Sequence, residues 1–285
     1  MKRILLPTDF SENAYNAISY AVQLYKDIKC KFYILHTYTP VSISAGRMVD
    51  NYSSFDLQDI TKETAERKLK GIEDRLKTEF NNANHTFITM VSFNTLTSEM
   101  VEVVKKKEIE FVIMGTKGAT GAKEIFIGSN TMQTIKNLKC PVIAIPSGFK
   151  YEKPSEILFP TDYKIHKANK YLSLIKELCE NNNNSKLHIL NVSQDISLKE
   201  KQEQTETFLD DFFKETIHLF HNTENQDLVK AIITFKKTYK INFLIMVHNE
   251  HNFFENLFFK PVVNQMVYHT NIPFLVIPSE DQINQ

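Results

Sequence analysis

Short apolar runs alternate along the chain with longer segments in which apolar residues recur every three or four positions. Short runs bounded by turn residues predict buried strands, and the longer pattern predicts helices with one apolar face. Regular alternation of the two is typical of a parallel sheet whose strands are joined by crossover helices. The pattern therefore predicts an α/β fold in the order β-α-β-α-β-α-β-α-β, and this order occurs twice.

The first copy of this order lies in the first half of the chain. Ser11 is predicted to cap its first helix, because a serine hydroxyl can accept a backbone N–H of the first turn. The fourth helix is predicted to stop before Cys140 and Pro141, since proline disfavours a helical conformation in the preceding residue. The predicted strands are 3–8, 31–38, 86–92, 110–115 and 141–146, and the other predicted helices are 58–80, 97–107 and 129–138.

An internal repeat supports the second copy. The segment "RILLPTDF" (3–10) returns as "EILFPTDY" (156–163), and "CPVIAIPS" (140–147) corresponds to "IPFLVIPS" (272–279). Such self-similarity indicates two domains of one plan in tandem. The second copy's predicted strands are 157–161, 187–192, 216–221, 242–247 and 273–277, and its predicted helices are 164–180, 198–214, 224–239 and 261–269. The predicted fold is two tandem Rossmann-like domains, 1–148 and 149–285, each with a five-stranded parallel sheet flanked by helices.

The composition narrows the classes of partner. The 285 residues carry 34 basic and 34 acidic side chains, so the charge balance offers no footprint for nucleic acid or a membrane surface. No run of about 18 apolar residues occurs, and the first residues lack the long apolar stretch of a signal peptide. Cys30, Cys140 and Cys179 are widely spaced and suggest neither a disulfide framework nor zinc ligation. We therefore expect a cytoplasmic protein with no nucleic acid or membrane partner.

Glycine is concentrated in one segment. "MGTKGATGAKEIFIGSNT" (114–131) holds four of the seven glycines, and the second half of the chain holds none. Neither the Walker pattern nor the dinucleotide fingerprint occurs there. Gly115 and Gly118 instead allow the backbone to turn tightly and approach a ligand. Gly128 and Ser129 open a predicted helix whose free N–H groups favour an anion. The spacing predicts a phosphate-binding loop.

These residues give the first copy a resemblance to the universal stress protein family. The resemblance rests on the Pro7-Thr8-Asp9 turn, the second strand "ILHTY", the spacing of Gly115, Gly118 and Gly128-Ser129, and the closing "CPVIAIP". It extends over nearly the whole chain as a tandem pair, although only the first copy carries the glycine pattern. It implies adenine nucleotide alpha hydrolase-like domains and, for the family's nucleotide-binding branch, ATP as the ligand.

The resemblance also implies roles for individual residues. Asp9 would hydrogen-bond the adenine edge, and Thr37 would flank the base with its backbone groups. Met114 and Gly115 would line the base and ribose. The full implied ATP site comprises Pro7, Thr8, Asp9, Thr37, Met114, Gly115, Lys117, Gly118, Gly128, Ser129 and Asn130. Lys117, Gly118, Gly128, Ser129 and Asn130 would lie nearest the phosphates. Mg²⁺ would bind through phosphate oxygens, water and Ser129.

Several of these residues have structural alternatives. Asp9 could serve only to cap the first helix. His36, at the end of an apolar strand, fits a buried, hydrogen-bonded histidine better than a base. Lys117 and Lys123 could approach a phosphate or remain solvated in the loop. Thr37 stands where the family more often has an aliphatic residue.

The second copy lacks the glycine loop. At corresponding positions Gly115, Gly118, Gly128 and Ser129 are replaced by Val247, Glu250, Lys260 and Pro261. Branched and charged side chains would fill the crevice, and the proline removes an N–H donor from the helix start. We therefore expect no equivalent ATP site there, although Asp162 is retained. In the replacement loop, His248, Glu250 and His251 are either metal ligands or incidental, and an apolar cluster fills the crevice or covers a partner; its members are Phe253, Phe254, Leu257, Phe258 and Phe259.

The resemblance implies a role in stress adaptation, with one ATP site in the first copy. Two alternatives remain open, namely an enzyme that slowly hydrolyses ATP and a nucleotide-free module for protein interactions. The expected partners are an adenine nucleotide and either a second copy or another protein. "PVIAIP" and "PFLVIP" are predicted to pair within one chain, because family members commonly pair through this closing strand.

Overall fold

The structure is a computed structural model. It describes residues 1–39, 54–116, 128–163, 165, 167, 169–181, 185–191, 200–223, 228–248 and 271–278. The chain folds into two compact units, Met1–Cys140 and Pro141–Gln285. Each unit is an α/β fold with a mostly parallel sheet, as the sequence pattern predicts. The predicted domain boundary after residue 148 stays a prediction.

The first unit follows the predicted order of strands and helices as far as its fourth helix. Its strands are β1 (Lys2–Pro7), β2 (Cys30–Tyr38), β3 (His85–Phe93) and β4 (Phe111–Gly115). Its helices are α1 (Glu12–Leu24), α2 (Ser54–Phe80), α3 (Leu96–Lys106) and α4 (Ser129–Asn137). The sheet order is β3-β2-β1-β4, and every pair within it is parallel. The carboxyl ends of these strands therefore share one edge of the sheet.

Local sequence signals explain where two of these helices begin. Ser11 caps α1, and its hydroxyl accepts the backbone N–H of Ala14 at 3.2 Å, which confirms the predicted cap. Thr95 caps α3 in the same way by accepting the N–H of Ser98. Such caps satisfy N–H groups that have no partner inside the helix.

The core of the first unit lies along its central strands. Fully buried aliphatic and aromatic side chains line both faces, and the largest contributors are Ile4, Leu5, Leu6, Phe32, Ile34, Leu35, Phe111, Val112 and Ile113. Burying each such side chain stabilises the fold by about 1.5–3 kcal/mol relative to exposure. Continuous rather than alternating apolar runs are expected, because α-helices cover parallel sheets on both faces.

In its described residues the second unit has six strands, one more than predicted, because the strand predicted at 141–146 belongs to this unit. These are β5 (Val142–Ile145), β6 (Glu156–Thr161), β7 (Lys186–Asn191), β8 (His218–Asn222), β9 (Phe243–His248) and β10 (Phe274–Pro278). Their order is β5-β10-β9-β6-β7-β8, with β5 antiparallel to β10 and the other pairs parallel. Val142 lies opposite Val276, so the predicted pairing of "PVIAIP" with "PFLVIP" is confirmed.

The helices of the second unit depart from prediction at one place. They are α5 (Leu172–Glu180), α6 (Glu200–Phe212) and α7 (Leu228–Thr238). The predicted helix 164–180 is wrong in its first part, because α5 begins only at Leu172. The buried Asn169 amide donates to the Pro278 carbonyl at 2.9 Å and its oxygen accepts the Tyr171 N–H, which fixes a non-helical approach to α5. The predicted helix 261–269 lies outside the described residues.

The two units repeat unusual backbone details as well as element order. Phe10 and Tyr163 both have positive φ angles, 66° and 57°, directly after the Pro-Thr-Asp turn. In each turn the threonine hydroxyl accepts the following aromatic residue's N–H, at 3.0 Å from Thr8 and 2.9 Å from Thr161. The same local geometry in both units agrees with the internal repeat in the sequence.

Two further properties bear on the expectations from composition. Among the described residues, none of the helices combines the length and apolar character that crossing a lipid bilayer requires. Cys30, Cys140 and Cys179, which all lie in described segments, are buried and form no disulfide.

Candidate functional site

The candidate site lies at the carboxyl edge of the first unit's sheet. Pro7 ends β1, Thr37 lies in the last part of β2, and Gly115 ends β4. Because β1 lies between β2 and β4, these three positions belong to neighbouring strands. Pro7 is paired with Leu35 in the register, and Met114 is buried immediately before Gly115. The fold therefore brings the predicted base and ribose residues to one edge of the sheet.

The turn after β1 is held by its own side chains. Thr8 is buried, and its N–H donates to the Leu35 carbonyl at 2.8 Å. Asp9 is exposed, and its Oδ1 accepts the Ser11 N–H at 3.0 Å and the Ser11 hydroxyl at 2.6 Å. The carboxylate thus supports the cap of α1, which is the structural alternative considered for Asp9. In this role the carboxylate remains exposed to solvent beside the carboxyl end of β1.

His36 stabilises the same turn from β2. Its Nδ1 lies 2.8 Å from the Thr8 carbonyl, so the ring donates a hydrogen bond through this nitrogen. Its ring lies 4.2 Å from the Phe10 ring, and the Lys68 ammonium lies 5.1 Å from the centre of that Phe10 ring. The half-buried His36 is therefore a hydrogen-bonded structural residue, as its position in the sequence favours.

Gly115 lies where a side chain would collide with α1. A Cβ atom at this position would overlap the Asn13 amide nitrogen and lie 3.1 Å from the Asn13 backbone oxygen. The close approach of α1 to the end of β4 therefore favours glycine, because a larger residue would have to displace the Asn13 side chain and press on its backbone. No pattern in the sequence singles out Asn13, because the contact depends on how α1 packs against β4.

The start of α4 is tied to the end of β4. The Gly128 N–H donates to the Thr116 carbonyl at 2.5 Å, and the buried Thr131 hydroxyl donates to the Gly115 carbonyl at 2.9 Å. Gly128 is the N-cap and offers no side-chain cap. Ser129 and Asn130 are exposed in the first turn. This arrangement presents the helix's N-terminal N–H groups and positive dipole end beside Gly115, which suits an anion.

Part of the predicted site is not described. Lys117, Gly118 and Lys123 lie outside the described residues, and so do Lys260 and Pro261 of the second copy. The predicted metal alternative also falls there in part, since His248 is described but Glu250 and His251 are not. Within the described ranges, no group of three His, Cys, Asp or Glu side chains could hold a metal ion. The apolar cluster between Phe253 and Phe259 likewise lies outside them.

The second unit differs at the corresponding edge. Half-buried Val247 stands at the place of Gly115, and buried His248 follows it. There β9 continues to His248, which pairs with Pro278 of β10, whereas β4 ends at Gly115. An ordered, paired strand end with a branched side chain offers less room for close approach of a ligand to the backbone.

Comparison of the sequence with known proteins gives matches that cover about half of the chain. A sequence model described as the universal stress protein family matches residues 1–146. Universal stress protein MJ0531 of Methanocaldococcus jannaschii is 30% identical over 146 residues, which cover 50% of this chain and 81% of that protein. Universal stress protein MJ0577 of the same organism is 28% identical over 153 residues, covering 50% of this chain and 94% of that protein.

A structural comparison extends over both units. The crystal structure of a universal stress protein from Archaeoglobus fulgidus DSM 4304 superposes with a TM-score of 0.69. The match covers 98% of this chain and 97% of that chain, with 19% sequence identity. At this identity the match shows a shared fold and nothing finer.

Proposed function

The chain belongs to the universal stress protein family, and from this premise we propose that its first unit binds ATP at the carboxyl ends of β1, β2 and β4. The family's name implies a role in the stress response. The observation that carries the proposal is the junction of β4 and α4, where Gly115 and the open start of α4 are held together by two hydrogen bonds.

The junction supports binding of phosphates. A triphosphate is an anion that backbone N–H groups at a helix start bind well, and a glycine N-cap leaves these groups uncovered by a side chain. Gly128, Ser129 and Asn130 would hold the phosphates. Lys117 and Gly118 are added to the proposed phosphate-binding residues only because of their position in the sequence. Mg²⁺ would be held through phosphate oxygens, water and Ser129.

The turn after β1 supports recognition of the base. Asp9 offers a carboxylate at the exposed mouth of the edge, and a carboxylate can accept the amino group of adenine. Thr37 would flank the base from β2, while Met114 and Gly115 would line the base and ribose. Pro7 ends β1, and Thr8 shapes the turn, because its N–H donates to the Leu35 carbonyl and its hydroxyl accepts the Phe10 N–H on either side of Asp9.

The test compares two aspartates that occupy the same turn in the two units. Asp9→Asn keeps an oxygen that can accept from Ser11, but it replaces a carboxylate oxygen by an amide donor. We expect it to weaken ATP binding in calorimetry by roughly 10- to 100-fold, since a hydrogen bond to a charged group contributes about 1.5–3 kcal/mol.

Asp162→Asn is the matched control and should leave ATP affinity and the stoichiometry of one site unchanged. Equal losses in both variants would contradict an ATP site confined to the first unit. If the unmodified protein neither co-purifies with an adenine nucleotide nor binds ATP at millimolar concentration, the proposal is wrong and the nucleotide-free alternative holds. Phosphate release over many turnovers would identify the slow ATPase instead.

A further inference from the structure

A partly buried chain of three hydrogen-bonded titratable side chains crosses three strands of the second unit. Glu156 opens β6, His188 lies in β7 and His221 lies in β8. Glu156 Oε2 is 2.8 Å from His188 Nε2, and His188 Nδ1 is 2.9 Å from His221 Nε2. The second distance joins two imidazole nitrogens, so one proton must lie between them, carried by one ring and accepted by the other.

Aromatic rings at the end of one helix pack against the two histidines. His188 is only 2% exposed, and His221 is half-buried. The ring of Tyr239, directly after α7, lies 4.8 Å from the His188 ring and 5.0 Å from the His221 ring. Phe235 of α7 lies 5.0 Å from His221. Phe235 of α7 and Tyr239 directly after it therefore pack the end of this helix against both histidines.

In the part of the chain that the structure describes, few charged groups lie where they could compensate extra positive charge on this pair. Lys186 of β7 lies 3.5 Å from Glu156, so that carboxylate is already shared with a cation. Lys236 of α7 is half-buried, and burial lowers its pKa. His218 lies on β8 three positions before His221, hence on the opposite face, where it contacts Asp210 of α6. Glu156 is the acidic partner that contacts the pair among the described residues.

Counting protons defines the states of the pair. With both rings neutral, His188 donates to Glu156 and accepts from His221. One added proton is accommodated, because a charged His188 can donate to Glu156 and to a neutral His221 at the same time. A second added proton leaves two N–H donors facing each other without an acceptor. The hydrogen bond is then lost, and two like charges stand side by side.

The direction of the His221 pKa agrees with this count. Burial lowers the pKa of His221, and the neighbouring His188 lowers it further. In an opened segment His221 would regain its ordinary pKa of about 6.5. The open form therefore binds more protons at acidic pH, and the stability that the closed form gains from a neutral His221 is present above this value and decreases as pH falls below it.

We propose that His188 and His221 form an acid-responsive latch, which holds α7 and β8 in place while the pair shares one bridging proton and releases them when both rings are charged. The latch does not depend on nucleotide binding, because it involves neither the Pro7-Thr8-Asp9 turn nor the start of α4. The latch would give the second unit a response to acid that does not follow from the internal repeat.

Hydrogen exchange on the full chain tests the latch. Between about pH 8 and pH 5, exchange in α7 and β8, corrected for the intrinsic pH dependence, should increase with acidity. The increase should approach about tenfold per pH unit, the limit for one proton taken up on opening. Strand β4 of the first unit serves as the internal reference and should not change. An equal response in β4, or none in α7 and β8, overturns the proposal.

Two variants isolate the pair. His221→Gln keeps an amide that can donate to His188 but cannot titrate, so the acid response of α7 should disappear. His218→Gln is the control, since it removes a histidine from the opposite face of β8 and should leave the response intact. A response that survives His221→Gln refutes the latch.

A measurement on the unmodified protein avoids dependence on whether the variants fold. Nitrogen shifts of the two rings, followed by nuclear magnetic resonance during a pH titration, should show coupled protonation, with His221 titrating below about 6.5. Independent titration of His221 at its ordinary pKa contradicts the proposed bridging proton.

Discussion

The edges of the two sheets begin alike and then diverge. After β1 and after β6 the chain makes the same turn, with Thr8 and Thr161 accepting the N–H of an aromatic residue at positive φ. After β4 and β9 the units differ, because Gly115 ends one strand while Val247 continues the other into a pair with β10. The turn that supports folding is thus retained in both units. The glycine that allows close approach to the backbone is retained only at the end of β4, in the first unit.

The helices that follow the first turn diverge in the same way. α1 begins at Glu12, directly after its cap, and brings Asn13 against Gly115. α5 begins only at Leu172, after a segment in which Asn169 is bonded to Pro278. The first unit therefore packs the start of its helix against a glycine strand end, whereas in the second unit the helix begins later and Asn169 is bonded to the end of β10 instead.

Exchanging the residues at the strand ends should have the largest effect on this comparison. Gly115→Val should abolish detectable ATP binding in calorimetry and lower the free energy of unfolding by about 1–3 kcal/mol, because the new side chain overlaps Asn13. Urea denaturation provides the stability measurement.

Val247→Gly is the reciprocal change. It removes a half-buried side chain and adds backbone freedom, so it should also destabilise the protein, by about 1–2 kcal/mol. It should leave a single ATP site, since the second unit lacks the other glycines as well. A second calorimetric site in this variant would show that the valine alone separates the two units.

Loss of the Thr131 hydroxyl should have an intermediate effect. Thr131→Val leaves the shape nearly unchanged but removes the donor to the Gly115 carbonyl, so the start of α4 is held less firmly to β4. We expect ATP affinity in calorimetry to fall by roughly 5- to 10-fold, equivalent to about 1 kcal/mol for one hydrogen bond.

Thr134→Val offers a control one turn later in α4. The buried Thr134 hydroxyl donates to the Asn130 carbonyl within the same helix and lies 3.9 Å from the Met100 sulfur of α3. Its loss should leave ATP affinity within about twofold of the unmodified protein, because a bond of this kind contributes little to a helix. Equal effects of the two variants would remove Thr131 from any role in holding the site.

The smallest effect concerns a strained position that both units share. Glu108 and Lys240 follow α3 and α7 with φ angles of 49° and 53°, a region that disfavours side chains with a Cβ. Lys240→Gly should raise the free energy of unfolding by up to about 1 kcal/mol. Glu108→Gly should gain less, because it also removes the ion pair with Arg3 at 2.6 Å. Thermal denaturation should show a larger rise in stability for Lys240→Gly than for Glu108→Gly. A larger rise for Glu108→Gly would contradict the idea that both positions carry the same backbone strain.

Features that depend on neighbouring residues could be predicted from the sequence. The cap by Ser11, the four strands of the first unit and the end of α4 before Cys140 all follow from patterns of a few residues. The pairing of β5 with β10 could also be predicted, because the two segments have nearly the same sequence and the family pairs through this strand.

Features that depend on distant contacts could not be predicted. The late start of α5 follows from the bond between Asn169 and Pro278, which are far apart in the sequence. Asn13 matters only because α1 packs on β4. The register pairs His188 with Leu219 and Leu190 with His221, so the two histidines contact each other diagonally across β7 and β8. No sequence pattern fixes that register. The sequence predicts which edge carries the candidate site but not the side chains that support it.

The antiparallel pairing of β5 with β10 also has a consequence for the order in which the protein folds. Val142 meets Val276 across almost half the chain, and closing so long a loop costs entropy that local pairings avoid. During synthesis on the ribosome, β1 to β4 can pair early, whereas the antiparallel pair of β5 and β10 can form only after β10 has emerged. Chain shortened before Phe274 would leave β5 without its β10 partner and its edge available to other chains, so the last strand protects an edge made far earlier.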